Sequence, residues 1–179
     1  MTVPVLLKLI KTYPDLKITV ITRNTFKPLF SKLENVSVLE ADVKGKHKRL
    51  SGVIKLAKEA KKLNITAVAD LHNVIRSKVM RGYFNTAAIK TAKIDKGRSD
   101  KKAITKPKRK LRKPIKSTHE RYADVFRKLG YAIDLNPPVF LNKAQLPSNF
   151  KRDTSKKLLG VAPFAAYKSK MYPLDLMRE

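Results

Sequence analysis

The sequence predicts an α/β fold with a doubly wound, mostly parallel sheet of the Rossmann-like kind. Short β-branched runs alternate with longer stretches whose apolar residues recur at helical spacing. They follow one another as helix, strand, helix, strand, helix, strand, the order that yields parallel strands with right-handed crossovers. The run Ile65-Thr66-Ala67-Val68-Ala69 also stops abruptly at Asp70, His72 and Asn73. Strands end this way at the carboxyl edge of an open α/β sheet, where ligands bind.

Taken in order, Val5, Leu6, Leu9 and Ile10 fall on one helical face, and Pro4 suits only a first turn. Tyr13-Pro14-Asp15 closes that helix. Residues 17–22 are rich in β-branched side chains and predict a strand. Asn24 is placed to cap a short helix holding Phe26, Leu29 and Phe30, with Pro28 limiting its start. Val36 to Glu40 is a second strand. From Arg49 to Leu63 the apolar stripe is Leu50, Val53, Ile54, Ala57 and Ala60, with lysines outside.

The Asp70 strand comes next, followed by a basic segment through Arg76, Lys78 and Arg81. Ala87-Ala88-Ile89 suggests a further strand. Lys93 to Lys116 carries twelve positive residues against Asp95 and Asp100, and with Pro107 and Pro114 inside it a loop is expected. Thr118 opens a helix with the stripe Tyr122, Val125, Phe126 and Leu129, favoured by Glu120 in its first turn and stopped by Gly130. Prolines 137, 138 and 147 punctuate an irregular connector, and Leu158 to Ala162 predicts a last strand. The expected organisation is a domain over 1–140, a linker over 141–156 and the start of a second domain over 157–179.

The 179 residues, 42% of them hydrophobic, are enough to build a core, and the net charge of +27 directs the surface toward polyanions. The absence of cysteine excludes disulfides and thiolate metal sites. No apolar run approaches the roughly 20 residues of a membrane span. Lys8 and Lys11 interrupt the N-terminal apolar stretch, unlike a signal peptide. A cytoplasmic location is the expectation.

The glycines, at 45, 52, 82, 97, 130 and 160, permit neither a GxGxxG turn nor a Walker-type phosphate loop. His119-Glu120 begins like a zinc-peptidase helix, but Ala123 stands where the second histidine belongs. His47, His72 and His119 are scattered, so neither metal nor cofactor is assigned. Asp70 has two readings, an ordinary cap of the next helix or part of a site. Its neighbours favour the site: a histidine and arginines follow one strand end, and guanidinium and ammonium groups together suit phosphate. Lys168-Ser169-Lys170 lies before Tyr172-Pro173, where a lysine at a helix start is placed to meet a diphosphate.

Together these segments resemble the lipopolysaccharide heptosyltransferases, glycosyltransferase family 9. Met1-Thr2-Val3-Pro4-Val5-Leu6 is similar to the family's entry into its first helix, with the opening strand and Gly-Asp loop expected ahead of Met1. Asp70-Leu71-His72 resembles the acid-amide segment after a central strand, and Arg76-Ser77 the basic-serine pair behind it. Asp95-Lys96-Gly97-Arg98 is similar to the turn before the acceptor loop, Glu120-Arg121 to the start of the next helix, and Lys170-Met171-Tyr172-Pro173 to a Lys-x-Trp-Pro motif of the donor domain.

The resemblance implies a GT-B architecture and an inverting, metal-independent transfer of heptose from an ADP-heptose-like donor to a phosphorylated, lipid-linked core saccharide. It implies acceptor binding by Asp70, His72, Arg76, Ser77 and Arg98, and donor diphosphate binding by Lys170. The family's base would lie before Met1, with Asp70 as the substitute, so the chain alone is expected to be inactive. A peripheral position on an anionic membrane, on the inner face of the inner membrane, fits the basic loop. The contrasting expectation is a basic nucleic-acid-binding protein. Against it, no aromatic is interleaved in residues 93–116 to stack on bases.

Overall fold

The computed structural model describes residues 1–105, 114–142, 155–157, 159–160, 164–173 and 175–177. The chain divides into two units, Met1–Asn142 and Lys143–Glu179. The first is an α/β unit. Its elements are α1 (Thr2–Thr12), β1 (Ile18–Thr22), a 3-10 turn (Asn24–Phe30), β2 (Val36–Glu40), α2 (Leu50–Lys61), β3 (Ala67–Asp70), α3 (Ile75–Thr86), β4 (Lys90–Lys93), α4 (Arg98–Ile104) and α5 (Thr118–Leu129). No helix among the described residues is long and apolar enough to cross a membrane.

The strands pair in parallel but form two sheets rather than one. β1 lies beside β2 from Ile18↔Val36 to Thr22↔Glu40. β3 lies beside β4 from Ala67↔Lys90 to Asp70↔Lys93. No pairing joins the two sheets among the described residues. Side chains alternate across each strand, and each strand pair packs on both faces. Ile18 and Val20 of β1, Val36 and Val38 of β2, and Ala69 of β3 join a cluster built on α1 and α5. Ile21, Leu39 and Val68 point the other way, onto Ala57 and Ala60 of α2 and Phe84 of α3.

The stripe expected for α1 is the buried one, and Leu7 joins Val5, Leu6, Leu9 and Ile10 inside. Residues 131–142 return over this helix: Lys8 donates to the carbonyls of Asn136 and Pro137, and Tyr13 to that of Ala132. The segment after β1 is a 3-10 turn with Arg23, not Asn24, at its N-cap. α2 is shorter than the 49–63 span expected and turned slightly: Leu50 is exposed, and Leu56 is buried with Val53, Ala57 and Ala60. Gly52 is needed where α2 meets the loop before it, because a Cβ there would collide with the backbone of Lys46 and His47.

Two expectations are corrected. Ala87-Ala88-Ile89 is a helix stop, and β4 begins one residue later. The Ala88 N–H bonds the Asn85 carbonyl, the Ile89 N–H bonds that of Phe84, and Ala88 has φ +56°. This is a Schellman ending with alanine in glycine's usual place, held by contact between Ile89 and buried Phe84. The lysine-bearing strand that follows suits an edge and hides its strand character in the sequence. Second, the region from 93 to 116 is not loop throughout, since α4 occupies Arg98–Ile104 ahead of both prolines. The centre of that basic region, residues 106–113, lies outside the described residues.

α5 is delimited as expected. The Ser117 side chain accepts from the Glu120 N–H, and Gly130 at φ +104° ends the helix with a second Schellman pair, Gly130 to Arg127 and Tyr131 to Phe126. In the second unit, Lys168–Lys170 form a 3-10 turn, and Leu159, Phe164, Tyr167 and Tyr172 are exposed. Leu159 and Gly160 are not in a strand, and the remainder of the expected 158–162 strand lies outside the described residues.

Phe84 has no solvent exposure and anchors both the α2–α3 cluster and the stop of α3. Phe84→Ala is expected to destabilise the protein by about 3–5 kcal/mol. Ile75→Ala, at a position 74% exposed, should stay within about 0.5 kcal/mol. Denaturant unfolding of both variants checks this.

Candidate functional site at the carboxyl rim of the strands

The loops that leave β2, β3 and β4 meet at one rim, and each is organised by an aspartate. After β2, Asp42 accepts the Gly45 N–H at 2.8 Å and the Lys46 N–H at 3.0 Å. His47, 1% exposed, turns back so that Nδ1 accepts the Asp42 N–H at 3.0 Å, which places its proton on Nε2. Nε2 lies 3.4 Å from Glu59 Oε2, a close polar contact without hydrogen-bond geometry. Burial pushes the Glu59 carboxyl up, and Lys46 and then His47 more than offset this and hold it below the usual range.

After β3, Asp70 is 5% exposed and fully engaged. Oδ1 accepts the N–H groups of His72 at 3.0 Å and Asn73 at 2.6 Å. Oδ2 accepts Arg81 Nε from the middle of α3 at 2.9 Å. Asp70 is therefore not the cap of α3, whose N-cap is Val74. Val74 has no side-chain oxygen. Ser77, three residues on, substitutes for one by accepting the Val74 N–H at 2.9 Å and donating to the Val74 carbonyl at 3.0 Å. Arg76 clamps the preceding loop, donating from Nη1 to the His47 carbonyl at 3.1 Å and from Nη2 to that of Lys48 at 2.7 Å.

The β3 and β4 loops are tied by Asn73 Nδ2, which donates to the Ile94 carbonyl at 3.1 Å. Asp95 Oδ1 then accepts the Gly97 N–H, and Gly97 adopts φ +58° as the N-cap of α4. Arg121 of α5, 6% exposed, sits beneath this turn. It donates to the carbonyls of Lys116 at 3.1 Å and Asp95 at 3.3 Å, and to Asp100 at 3.2 Å. A Cβ at Gly97 would collide with the Arg121 guanidinium, so glycine is required there for space as well as for φ. Asp95, Asp100, Lys116, Arg121 and Asp124 line a cleft of about 200 Å³.

A further network shares Lys116 and Asp124 with the cleft. Arg127 donates to Glu120 at 2.7 Å and Asp124 at 2.9 Å, and Lys116 donates to Asp124 at 2.7 Å. Partial burial pushes the Asp124 carboxyl up, but the bonds from Lys116 and Arg127 leave it below its ordinary value. The bond to Glu120 raises Arg127.

The structure thus gathers Asp70, His72, Arg76 and Ser77 around the start of α3, with Asn73 joining them to the turn that carries Arg98. His72 and Arg98 are exposed, whereas Asp70 and Ser77 are occupied by local bonds. Lys170 belongs to the second unit, with Nζ 5.4 Å from the Tyr167 ring centroid. Among the described residues no three His, Asp or Glu side chains gather as a metal site would need. Asn73 and Arg81, part of the segment singled out after β3, and Arg121, part of the Glu120-Arg121 resemblance, receive no role from the sequence; the structure gives Arg81 to Asp70, Asn73 to the Ile94 carbonyl and Arg121 to the turn before α4. Compared with family models, curated proteins and solved structures, the chain matches none.

Removing Arg81 strands a buried carboxylate. Arg81→Leu should cost about 3–5 kcal/mol, and Asp70→Asn in the same background should recover part of that loss in a double-mutant cycle. The amides of Gly45, and next of Lys46, hold Asp42 below its ordinary value. Because the folded value is the lower one, the loop's support is complete above about pH 4 and fades as pH falls through the depressed value. Amide exchange at Gly45 and Lys46 should show that acid-side loss, and Asp42→Asn should abolish its pH dependence.

Proposed function

We propose that Met1–Asn142 is the acceptor-binding domain of a heptosyltransferase-like enzyme of glycosyltransferase family 9. In this proposal the strands belong to a doubly wound, Rossmann-like layer of GT-B type. The observation that supports it is convergence at one rim. Four separate segments that resemble the family, around Asp70-Leu71-His72, Arg76-Ser77, Asp95–Arg98 and Glu120-Arg121, are linked through Asn73 and Arg121.

In the proposed reaction the acceptor hydroxyl attacks the anomeric carbon of a nucleotide sugar. The bond from that carbon to the diphosphate oxygen breaks, the diphosphate leaves with the electron pair, and the hydroxyl proton passes to a base. Asp70 is poorly suited to be that base, since both its oxygens already hold donors. Its task is to shape the loop that presents His72. Exposed His72 and Arg98, with the spare donors of Arg76, would hold the acceptor's phosphate. Lys170 would meet the donor diphosphate, and the surrounding lysines would favour an anionic membrane surface.

The test is calorimetric titration of the whole chain with a phosphorylated lipopolysaccharide core oligosaccharide and with its dephosphorylated form. The phosphorylated form should bind at least about tenfold more tightly, and Arg98→Ala should remove most of that difference, as one charge-assisted contact would. Equal binding of both forms would reject the proposal. So would nanomolar binding to generic duplex DNA with a steep salt dependence, which would favour the nucleic-acid alternative.

A further inference from the structure

Helices α2 and α3 lie side by side, joined through Ala57, Ala60 and Phe84. Their outer side carries charge that the fold does not use. Residues 42–81 hold eleven basic side chains against three acids, Asp42, Glu59 and Asp70. Each acid is already engaged: Asp42 by the amides of its loop, Asp70 by Arg81, and Glu59 by Lys46. Among the described residues no carboxylate pairs with Lys48, Lys55, Lys58, Lys61, Lys62 or Lys78, all of them exposed. Lys55, Lys58 and Lys61 point away from the side of α2 that buries Val53, Leu56, Ala57 and Ala60, and Lys62 follows at its end. Lysines three and four apart on a helix repel and weaken it, so folding gains nothing from this row. An anionic surface laid over it would relieve the repulsion.

Two large apolar side chains sit at one end of the same face. Leu50 is 59% and Ile75 74% exposed, at the starts of α2 and α3. Arg76 brings these starts together by donating to the carbonyls of His47 and Lys48. Neither Leu50 nor Ile75 joins an apolar cluster of the described residues. Exposed Arg49 adjoins the first, and Lys78 lies one turn from the second. Aliphatic anchors among lysines suit a surface that lies on a membrane. The anchors enter the boundary between headgroups and acyl chains, and the lysines reach anionic headgroups. A nucleic acid would use the lysines but not the anchors. The aromatic rings of these helices, Tyr83 and Phe84, pack in the α2–α3 cluster instead of offering a stacking surface.

We propose that the outer α2–α3 face docks this unit on an anionic lipid bilayer. Leu50 and Ile75 are its apolar anchors, and the α2 lysines make its electrostatic contact. The proposal rests on the glycosyltransferase reading only for the presence of a membrane, and it assigns the contact to this face rather than to the basic region 93–116. Both helices begin at the carboxyl rim, so a bilayer seated on the anchors meets the unit next to the loop that presents His72. A lipid-linked acceptor would then reach the rim without leaving its membrane.

The test is sedimentation of the full 179-residue chain with phosphatidylcholine vesicles, with and without phosphatidylglycerol, at physiological salt. The chain should bind the anionic vesicles and leave the neutral ones. Lys55→Gln, Lys58→Gln, Lys61→Gln and Lys62→Gln together should weaken that binding about a hundredfold. Leu50→Ser with Ile75→Ser should weaken it about tenfold. All six positions are exposed, so both variants should unfold at the wild-type denaturant midpoint. Lys108→Gln, Arg109→Gln and Lys110→Gln together should change binding by no more than about threefold, since charges away from the contact are screened. The proposal is overturned if the wild-type chain ignores anionic vesicles, or if neutralising residues 108–110 costs as much as neutralising α2. It is also overturned if the Leu50 and Ile75 variant binds vesicles as the wild type does, or if losing the α2 lysines weakens duplex DNA binding as much as vesicle binding. Any of these results, with the phosphorylated core oligosaccharide still preferred, would remove this surface and leave the glycosyltransferase reading standing.

Discussion

A carboxylate buried at the end of a strand is tolerable only when its charge is met, and the rim is built around meeting that of Asp70. Two loop amides and the Arg81 guanidinium surround it. Its desolvation is offset by charge-assisted bonds that also dictate backbone geometry. The amides bend the chain sharply out of β3, and this places Asn73 where it reaches across to the Ile94 carbonyl. Arg81 reaches back from α3 and sets how that helix lies against the strand. One buried charge thus couples strand, loop and helix, and it leaves His72 facing outward on a constrained turn.

The same device recurs at each loop of the rim. Asp42 gathers the amides of its own loop, and Asp95 with Arg121 shapes the turn before α4. In a chain with 41 basic and 14 acidic residues, three of the acids, Asp42, Asp70 and Asp95, organise the backbone of these loops. Arg98 follows a turn whose backbone is held by Asp95 and Arg121, and under the proposed function such a held turn would lower the entropy lost when an anion is bound.

The rim is held by side chains in satisfied polar networks, and its character is electrostatic. The strands beneath it are held by apolar packing on both faces, so the position of each loop follows from how its strand and helix pack.

Sequence alone determined the periodic parts. The buried stripe of α1, strands β1, β2 and the body of β3, and both ends of α5 follow from local patterns: β-branched runs, helical spacing, an acid in the first turn and a glycine stop. It also determined which residues leave β3, because an acid, a histidine and an amide after an apolar run stand out locally. Tertiary structure decided the rest. The Schellman ending at Ala88 depends on Ile89 finding Phe84, a contact between residues that only the folded helix brings together. β4 is strand because β3 lies beside it, although its lysines obscure that in one dimension. α4 forms after a glycine whose conformation is held by Arg121, far along the chain. That Asp70 holds its loop and Arg81 rather than capping α3 was decided by tertiary packing, since a carboxylate's partners are set by the donors that reach it, and these are assembled only when helix and strand pack.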